Sequence, residues 1–430
     1  MSGGHPPRSA ALLLNNPFQT DSRAWKLAST LAGAGHAVTV VARAQDGLPA
    51  RETVEGFSVV RVAQPQPFGW LPSPKLPAGE DAHAQAQKQL PSGRVERARH
   101  LTSASVGRGV QAARYVRLTH VWAADIAHVV PHADVWQAEG LVALPVALEL
   151  RRRRGGLAIY DSRDLDVQSA RFARLPGPWR KLLERRERHW ARSVDAVLSV
   201  STPYADVLER SWGRRPTIVW NGPSDYEPPE PPQRLWHERL GLAPATRVVL
   251  YLGLVMAGRG ISELCRAMAD VPEAVLVVAG FGVDYERYKV EAAALPHAER
   301  IVFPGGVAPT EILPLIAAAD VSAMPVQGDT LNHRLNTPTK LFDAMGAGVP
   351  VVASDLPGMA PIVRDTGCGE LCDPDDPEDI ARALRAILDA SPERRAAYRH
   401  ACLTAARGSY SWERQAATLL ELYAGLRVPV

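Results

Sequence analysis

The groups best suited to chemistry are concentrated between Asn336 and Ser354: Thr337, Pro338, Thr339, Lys340 and Asp343, then Gly346 and Gly348, then an apolar stretch from Val349 to Ala353. Thr337 suits a helix cap and Pro338 the first helical position, which puts Thr339, Lys340 and Asp343 in the opening turns. A helix start presents free N–H groups and the positive end of the peptide dipole, so it can hold an anion. Lys340 adds a point charge beside that anion. Asp343, one turn further on the same face, can accept hydrogen bonds from a sugar diol. Phosphate plus diol describes a nucleotide or a sugar phosphate. Arg greatly outnumbers Lys in this chain, whose other lysines are Lys26, Lys75, Lys88, Lys181 and Lys289. A compact ammonium kept at this position suits a phosphate oxygen in a tight cradle better than a planar fork would. The competing reading is an ordinary capped helix with a solvated lysine.

Three further loops repeat one pattern, a strand ending on glycine. Tyr251 to Ile261 turns on Gly253, Gly258 and Gly260 and sets Arg259 at a helix start, within reach of a phosphate. Val277 to Gly282 and Phe303 to Val307 end on Gly280 and Gly282 and on Gly305 and Gly306, where a backbone can approach a ligand closely. Each loop alone is common. Together with the Lys340 helix they open on one edge of one sheet. In the first half, Asp161, Ser162, Arg163 and Asp164 follow a strand, and Asn15, Asn16 and Arg23 follow the first strand. These groups are expected to face a cleft from the other side. The plainer reading of Arg163 is an ion pair with Asp161 or Asp164.

The elements that must position these residues are two alternating sets of strands and helices. Ala10–Leu14, a helix through Trp25–Ala32, and His36–Ala42 form a βαβ unit and imply a parallel sheet. Strands at Val135–Ala138, Leu157–Tyr160, Ala196–Val200 and Ile218–Trp220 continue it. Asn221 to Pro232 is dense in proline and acid and reads as a linker. A second set follows, with strands at Arg247–Gly253, Ala274–Ala279, Arg300–Phe303, Val321–Met324, Val349–Ala353 and Gly369–Leu371, and a last amphipathic helix over Trp412–Leu426. The segment from Gln64 to Gly107 has no strand period and is long for a connection, so it reads as an insertion with a short helix near Asp81–Gln89. It is either a lid or acceptor-binding element, or a passive loop.

Composition narrows the class. A hydrophobic share of 46% with 22% charged residues is globular, and a net charge of +3 argues against a nucleic-acid binder. No apolar run is long enough to span a bilayer, and the N-terminus lacks a signal-peptide core. Cys265, Cys368, Cys372 and Cys402 have no metal spacing and read as reduced core residues of a cytoplasmic protein. The Ala, Arg and Pro richness hints at a bacterial source. Arg171 to Arg192 is basic, with Trp179, Leu182, Leu183 and Trp190 interleaved. It reads either as a helix lying on the inner membrane face or as a solvated helix with its apolar stripe in the core. The run Arg151–Arg154 suits a helix C-terminus. No metal-ligand set, nucleophile elbow or Walker motif is present.

With these motifs in order, the chain resembles the retaining GT-B glycosyltransferases of family 4, in a branch with a Pro-x-Lys-Leu-Phe-acid motif. Tyr251–Ile261, Val277–Gly282, Phe303–Val307, Ala318–Asp320 and Thr337–Ser354 carry the likeness, and Ser411–Glu413 opens the last helix in the typical way. The resemblance implies an α/β GT-B fold, two doubly wound Rossmann-like domains facing across a cleft, with a C-terminal crossover helix. It implies an acceptor-binding domain over 1–225, with helix 411–430 packing back on it, and a nucleotide-sugar-binding domain over 226–410. Arg259 and Lys340 would bind the donor diphosphate and, with Asp161 and Arg163, make the catalytic set. Gly253, Gly280, Gly282, Val307, Thr337, Thr339, Lys340 and Asp343 would line the donor site. Asn15, Asn16, Arg23 and Glu139 would lie on the acceptor side.

Three departures stand out: Leu335 where many members have a sugar-binding glutamate, Leu254 where many have arginine, and Gln137 and Glu139 in the region of a frequent histidine. The expected activity is retaining transfer of a hexose from a nucleotide-diphosphate sugar, UDP favoured over GDP or dTDP, to an acceptor hydroxyl of a small molecule or glycan. That places it in natural-product or cell-surface glycan biosynthesis. No metal and no cofactor is expected, since the nucleotide sugar is a substrate. The rivals are a GT-B nucleotide-sugar epimerase and a non-catalytic nucleotide-sugar-binding module. Nothing in the sequence indicates the oligomeric state.

Overall fold

The computed structural model describes residues 8–19, 21–63, 117–169, 177–223 and 225–427. The insertion 64–107 and the first part of the basic run, 171–176, lie outside them. The chain forms two compact units, Met1–Asp161 with Leu426–Val430, and Ser162–Gly425. The division falls after Asp161, within the stretch that sequence assigns to the first domain.

The first unit contains β1 (Ser9–Leu14), β2 (Ala37–Arg43), β3 (Arg51–Val54), β4 (Phe57–Val62), β5 (Val135–Glu139) and β6 (Leu157–Ser162). They lie in the order β3-β4-β2-β1-β5-β6. Every pair is parallel except β3 on β4. The near-continuous apolar character of β1 follows from burial on both faces. The helix Ser22–Gly33 opens where the Asp21 carboxylate accepts the Ala24 N–H at 3.0 Å. The β3–β4 hairpin is not among the expected strands. Its turn is Glu55-Gly56, both at positive φ (43° and 85°), as a two-residue hairpin turn requires. The helix Leu144–Arg154 carries Arg151–Arg154 in its last turn, as the dipole argument expects. Glu149 accepts from Arg152 and Arg153, and those hydrogen bonds, Arg152's first, draw its carboxyl down to about 2.

The second unit opens with the helix Gly177–Ser193, β7 (Ala196–Ser199), the helix Thr202–Trp212 and β8 (Thr217–Ile218). On the basic helix Lys181, Leu182, Arg185, Arg186 and Arg188 are exposed, while Trp179, Leu183 and Trp190 are half-buried. Six parallel strands follow: β9 (Arg247–Leu254), β10 (Ala274–Phe281), β11 (Ile301–Gly305), β12 (Val321–Met324), β13 (Val351–Ser354) and β14 (Gly369–Cys372). Their order, β11-β10-β9-β12-β13-β14, is the doubly wound 3-2-1-4-5-6 arrangement. Alternate residues of β9 go to opposite cores. Val248 and Leu250 join Leu341 and Phe342 on one face, and Val249 and Tyr251 join Ile261 and Ile380 on the other. The strand order reverses between β9 and β12, and such a reversal opens a ligand crevice at the carboxyl ends of the strands. Among the described residues all four cysteines are buried and free, and no helix is long and apolar enough to cross a membrane.

Candidate functional site

At the carboxyl edge of the second unit's sheet, Gly280 lies in register with Gly253, and Ala279 with Gly305. The three glycine loops therefore open together, as their spacing implies. Two of these glycines are dictated by the neighbouring backbone. A Cβ on Gly280 would come 1.8 Å from the Gly253 carbonyl oxygen, and one on Gly282 would come 1.9 Å from that of Val255. Gly260 is also fixed, at φ +66° with the Pro325 carbonyl 2.0 Å from where a Cβ would stand. That contact closes the β9 and β12 loops on each other at the switch point. Arg259 sits between Gly258 and Gly260, half-buried, and its Nε is buried with no hydrogen-bond partner. Buried polar atoms are almost always paired, so an orphan guanidinium N–H marks a place for an acceptor.

The helix carrying Lys340 spans Thr339–Gly346. Its start differs from the expected one. Pro338 is the capping residue, and the Thr337 hydroxyl donates instead to the Gly358 carbonyl at 2.9 Å. With Thr337 drawn away, no side chain caps the first turn. The Thr339 hydroxyl oxygen accepts from Asn221 Nδ2 at 2.6 Å, leaving its own proton free to donate. Lys340 Nζ lies 4.0 Å from the centre of the buried Tyr251 ring and beside Gly253, where a Cβ would be 3.8 Å from it. Dehydration in this niche, and then the nearby Arg259 guanidinium, hold the Lys340 ammonium well below its usual pKa. Two cations held together, with no carboxylate paired to either among the described residues, leave a deficit that an anion would fill. Asp343 is half-buried, one turn beyond Lys340. Val307 packs partly buried in the loop after β11.

Aromatic packing fixes this helix from behind. Phe342 meets Trp220 edge-on at 5.9 Å and Tyr410 at 5.2 Å, and Trp220 meets Tyr410 at 5.4 Å. A Cβ on Gly346 would come 2.7 Å from Pro223 Cβ. Asp320, within one of the resemblance motifs, takes the Val248 N–H at 2.8 Å and Arg247 at 2.9 Å, so its work is to hold the start of β9.

In the first unit, Leu14, Glu139 and Asp161 stand in register at the ends of β1, β5 and β6. Asp161 is fully buried and takes a two-pronged bond from Arg23, at 2.7 and 3.0 Å. Asp161 is thus an anion held in the core by Arg23. Glu139 is buried and accepts from Gln137 Nε2 at 2.7 Å. Asn16 spends its side chain on the loop after β1, bonding Asp21 at 2.7 Å and the Phe18 N–H at 2.8 Å. Asn15 is half-buried at the start of that loop, and Arg163 is half-buried after β6.

Four residues with a part in the second unit's site were not singled out from sequence: Tyr204, Asn221, Asn332 and His333. Asn332 and His333 sit on the short helix Leu331–Leu335. His333 Nδ1 bonds Asp329, and its ring lies against Gly258, 3.1 Å from where a Cβ would be. The only sequence signal was the density of Asn, His and Asp just before Thr337. A 770 Å³ surface cavity at the ends of β12–β14 is lined by Asp329, Asp355, Asp373, Asp375 and Asp379 as well as Arg334 and Arg382. Its acidity makes it unsuited to a diphosphate.

The architecture is that of known GT-B enzymes. The chain superposes on sucrose-phosphate synthase from Thermosynechococcus elongatus with a TM-score of 0.72 and 18% identity, over 97% of this chain and 99% of that one. It superposes on Anabaena Alr3699/HepE in complex with UDP-glucose with a TM-score of 0.69 and 16% identity, over 97% and 100% of the chains. Residues 232–402 match the family model of glycosyl transferases group 1. A D-inositol 3-phosphate glycosyltransferase of Corynebacterium urealyticum is 32% identical over 200 residues, 44% of this chain and 45% of the relative. A GDP-mannose-dependent alpha-(1-6)-phosphatidylinositol monomannoside mannosyltransferase of Mycolicibacterium smegmatis is 32% identical over 211 residues, 47% and 54%. The chain spans about half the length of the curated relatives it matches.

Proposed function

We propose that this chain is a retaining glycosyltransferase that takes a hexose from a nucleotide-diphosphate sugar and passes it to an acceptor hydroxyl. The observation that carries the reading is the pairing of Arg259, with its orphan Nε, and Lys340 at an uncapped helix start on the switch-point edge. Arg259, Lys340, the Thr339 hydroxyl and the first-turn N–H groups meet the charge that develops on the departing diphosphate. The bond from the anomeric carbon to the diphosphate oxygen breaks as the acceptor oxygen bonds that carbon, and the acceptor proton passes to the departing oxygen. Attack from the leaving-group face keeps the anomeric configuration and needs no protein nucleophile. Asp343 is assigned to the ribose hydroxyls.

Uridine remains the first choice of base, on the family resemblance. The mannosyltransferase relative is named for GDP-mannose, which makes guanosine the second reading. Relatives named for D-inositol 3-phosphate and phosphatidylinositol monomannoside put cyclitol acceptors first in an acceptor screen. A cytoplasmic site of action, with the basic helix Gly177–Ser193 against an anionic membrane face, belongs to the same proposal. An epimerase or a non-catalytic binding module would share the diphosphate site but make no glycoside. The test is thermal-shift and calorimetric titration with UDP, GDP, dTDP and ADP, followed by acceptor screening with the matching sugar donors. The reading expects one nucleoside diphosphate to stand out and a glycoside to form. It fails if none of the four binds.

A further inference from the structure

Asn332 is almost fully buried, at 7% exposure, and each polar atom of its side chain is matched. Its Oδ1 accepts from the Leu165 N–H at 2.8 Å and from the Tyr204 hydroxyl at 2.7 Å. Its Nδ2 donates to Asp164 Oδ1 at 3.2 Å, and its own carbonyl lies 3.0 Å from the same Tyr204 hydroxyl. Tyr204 is completely buried. Burial, and then the nearby Asp164 charge, push its pKa well above the usual value, so the hydroxyl stays a donor at any working pH. All these groups lie within the second unit, yet Asp164, Leu165 and Tyr204 precede the proline-rich linker while Asn332 follows it. The neighbouring residue faces elsewhere: the His333 ring packs on Gly258 and bonds Asp329. The short helix Leu331–Leu335 is thus gripped by the 164–165 and 204 segments at one residue and by the Arg259 turn at the next. Four residues beyond it the Lys340 helix begins.

We propose that Asn332 is a positioning residue which, through Tyr204, Asp164 and the Leu165 N–H, holds the loop 325–338 so that Arg259 and Lys340 keep the spacing a diphosphate needs. The physical ground is the demand of the site. An amide with two acceptor bonds and one donor bond to two distant segments tolerates only one placement, because displacing the loop would strand several buried polar groups together. An apolar residue of similar size could fill the space but would not fix the register. The consequence for diphosphate binding rests on the function proposed above, whereas the mechanical coupling does not.

Two measurements on the full chain separate these. In hydrogen–deuterium exchange without ligand, Tyr204→Phe and Asn332→Ala should raise exchange together in 162–168, 256–260 and 325–338, with β9, β10 and β13 still protected. Exchange confined to the altered turn would overturn the coupling. In titrations with UDP and GDP against uridine and guanosine, Tyr204→Phe should weaken the diphosphate about fivefold or more and leave the nucleoside unchanged. It should add little further loss on a Lys340→Ala background. Equal loss for nucleoside and diphosphate, no loss, or full additivity with Lys340→Ala each overturn the positioning role. If Asn332→Ala does not fold, Tyr204→Phe, which removes one oxygen and keeps the packing, carries the test. If the unaltered chain binds no nucleoside diphosphate, the functional reading fails and exchange still decides the coupling.

Discussion

In the proposed function Lys340 meets the diphosphate, and its environment makes its behaviour predictable. Lys340→Ala should weaken nucleoside-diphosphate binding by about 1.5–3 kcal/mol and barely touch nucleoside binding, because one charge-assisted phosphate contact is lost. Calorimetry with both ligands reads this directly, and equal losses would contradict the phosphate role. Lys340→Arg should also be impaired, since a planar fork does not fit the niche between the Tyr251 ring and Gly253. The depressed Lys340 pKa has a sign that can be followed. Without ligand, the ammonium gives up its proton below the usual lysine range, because dehydration and Arg259 disfavour the charge. A bound diphosphate favours the charged form, so binding above that depressed pKa takes up a proton, and affinity falls as pH rises through it. Binding heats on the alkaline side should therefore vary with the ionisation enthalpy of the buffer, and should not in Lys340→Arg. A second residue-scale prediction concerns Asp161. Asp161→Asn removes the carboxylate charge paired with the buried Arg23 and should cost about 3–5 kcal/mol of stability, read by denaturant unfolding. Wild-type stability in that variant would mean the pair does not anchor the first unit.

At the scale of elements, the glycine loops split into two kinds that sequence cannot distinguish. Gly280 has no room for a side chain because the Gly253 carbonyl occupies the space, and its φ is +147°. Gly306, one loop away, would present its Cβ only to Phe281 Cδ1 at 3.7 Å, ordinary contact. Gly280→Ala should lower stability by about 1–3 kcal/mol or more and disturb the carboxyl edge of the sheet, while Gly306→Ala should stay within about 0.5 kcal/mol of wild type. Thermal unfolding of the two variants side by side checks the ordering, and a reversed order would refute the strand geometry at that edge. The helix Thr339–Gly346 carries a similar lesson. Its apolar and polar positions are readable in the sequence, but the cap was misassigned to Thr337. A threonine hydroxyl takes whichever acceptor or donor tertiary packing brings near, and here that is the Gly358 carbonyl. The β3–β4 hairpin was legible in its alternation and its Glu-Gly turn. It went unrecognised because such short strands acquire identity only beside β2.

For the molecule as a whole, the prediction is stereochemical. The loop after β1 offers Asn15, Asn16, Pro17, Phe18 and Gln19, with no His or carboxylate before Asp21. Asp21 itself is occupied in capping the helix and bonding Asn16. Inversion needs a base behind the anomeric carbon, and the proposed function expects none from this loop. The first glycoside made from an α-linked donor should therefore show the small α coupling in its proton NMR spectrum. A β-linked product would refute the retaining assignment.

What the sequence by itself determined is the alternation of strands and helices, the parallel character of both sheets, and the glycine loops at one edge with Arg259 and Lys340 beside them. These are local quantities. Hydrophobic period, glycine at strand ends and the order of motifs are written along the chain and need no distant partner to be read. Only the tertiary structure decided which charges meet. Arg23 takes Asp161, and Asn221 orients Thr339. Tyr251 lies under Lys340, and Asn332 joins Asp164 to Tyr204. Each of these pairs is separated by tens to well over a hundred residues, and a buried polar group accepts whichever complementary group the fold delivers within hydrogen-bond distance. The requirement that it be satisfied is visible in the sequence. The identity of its partner is a property of the packed chain.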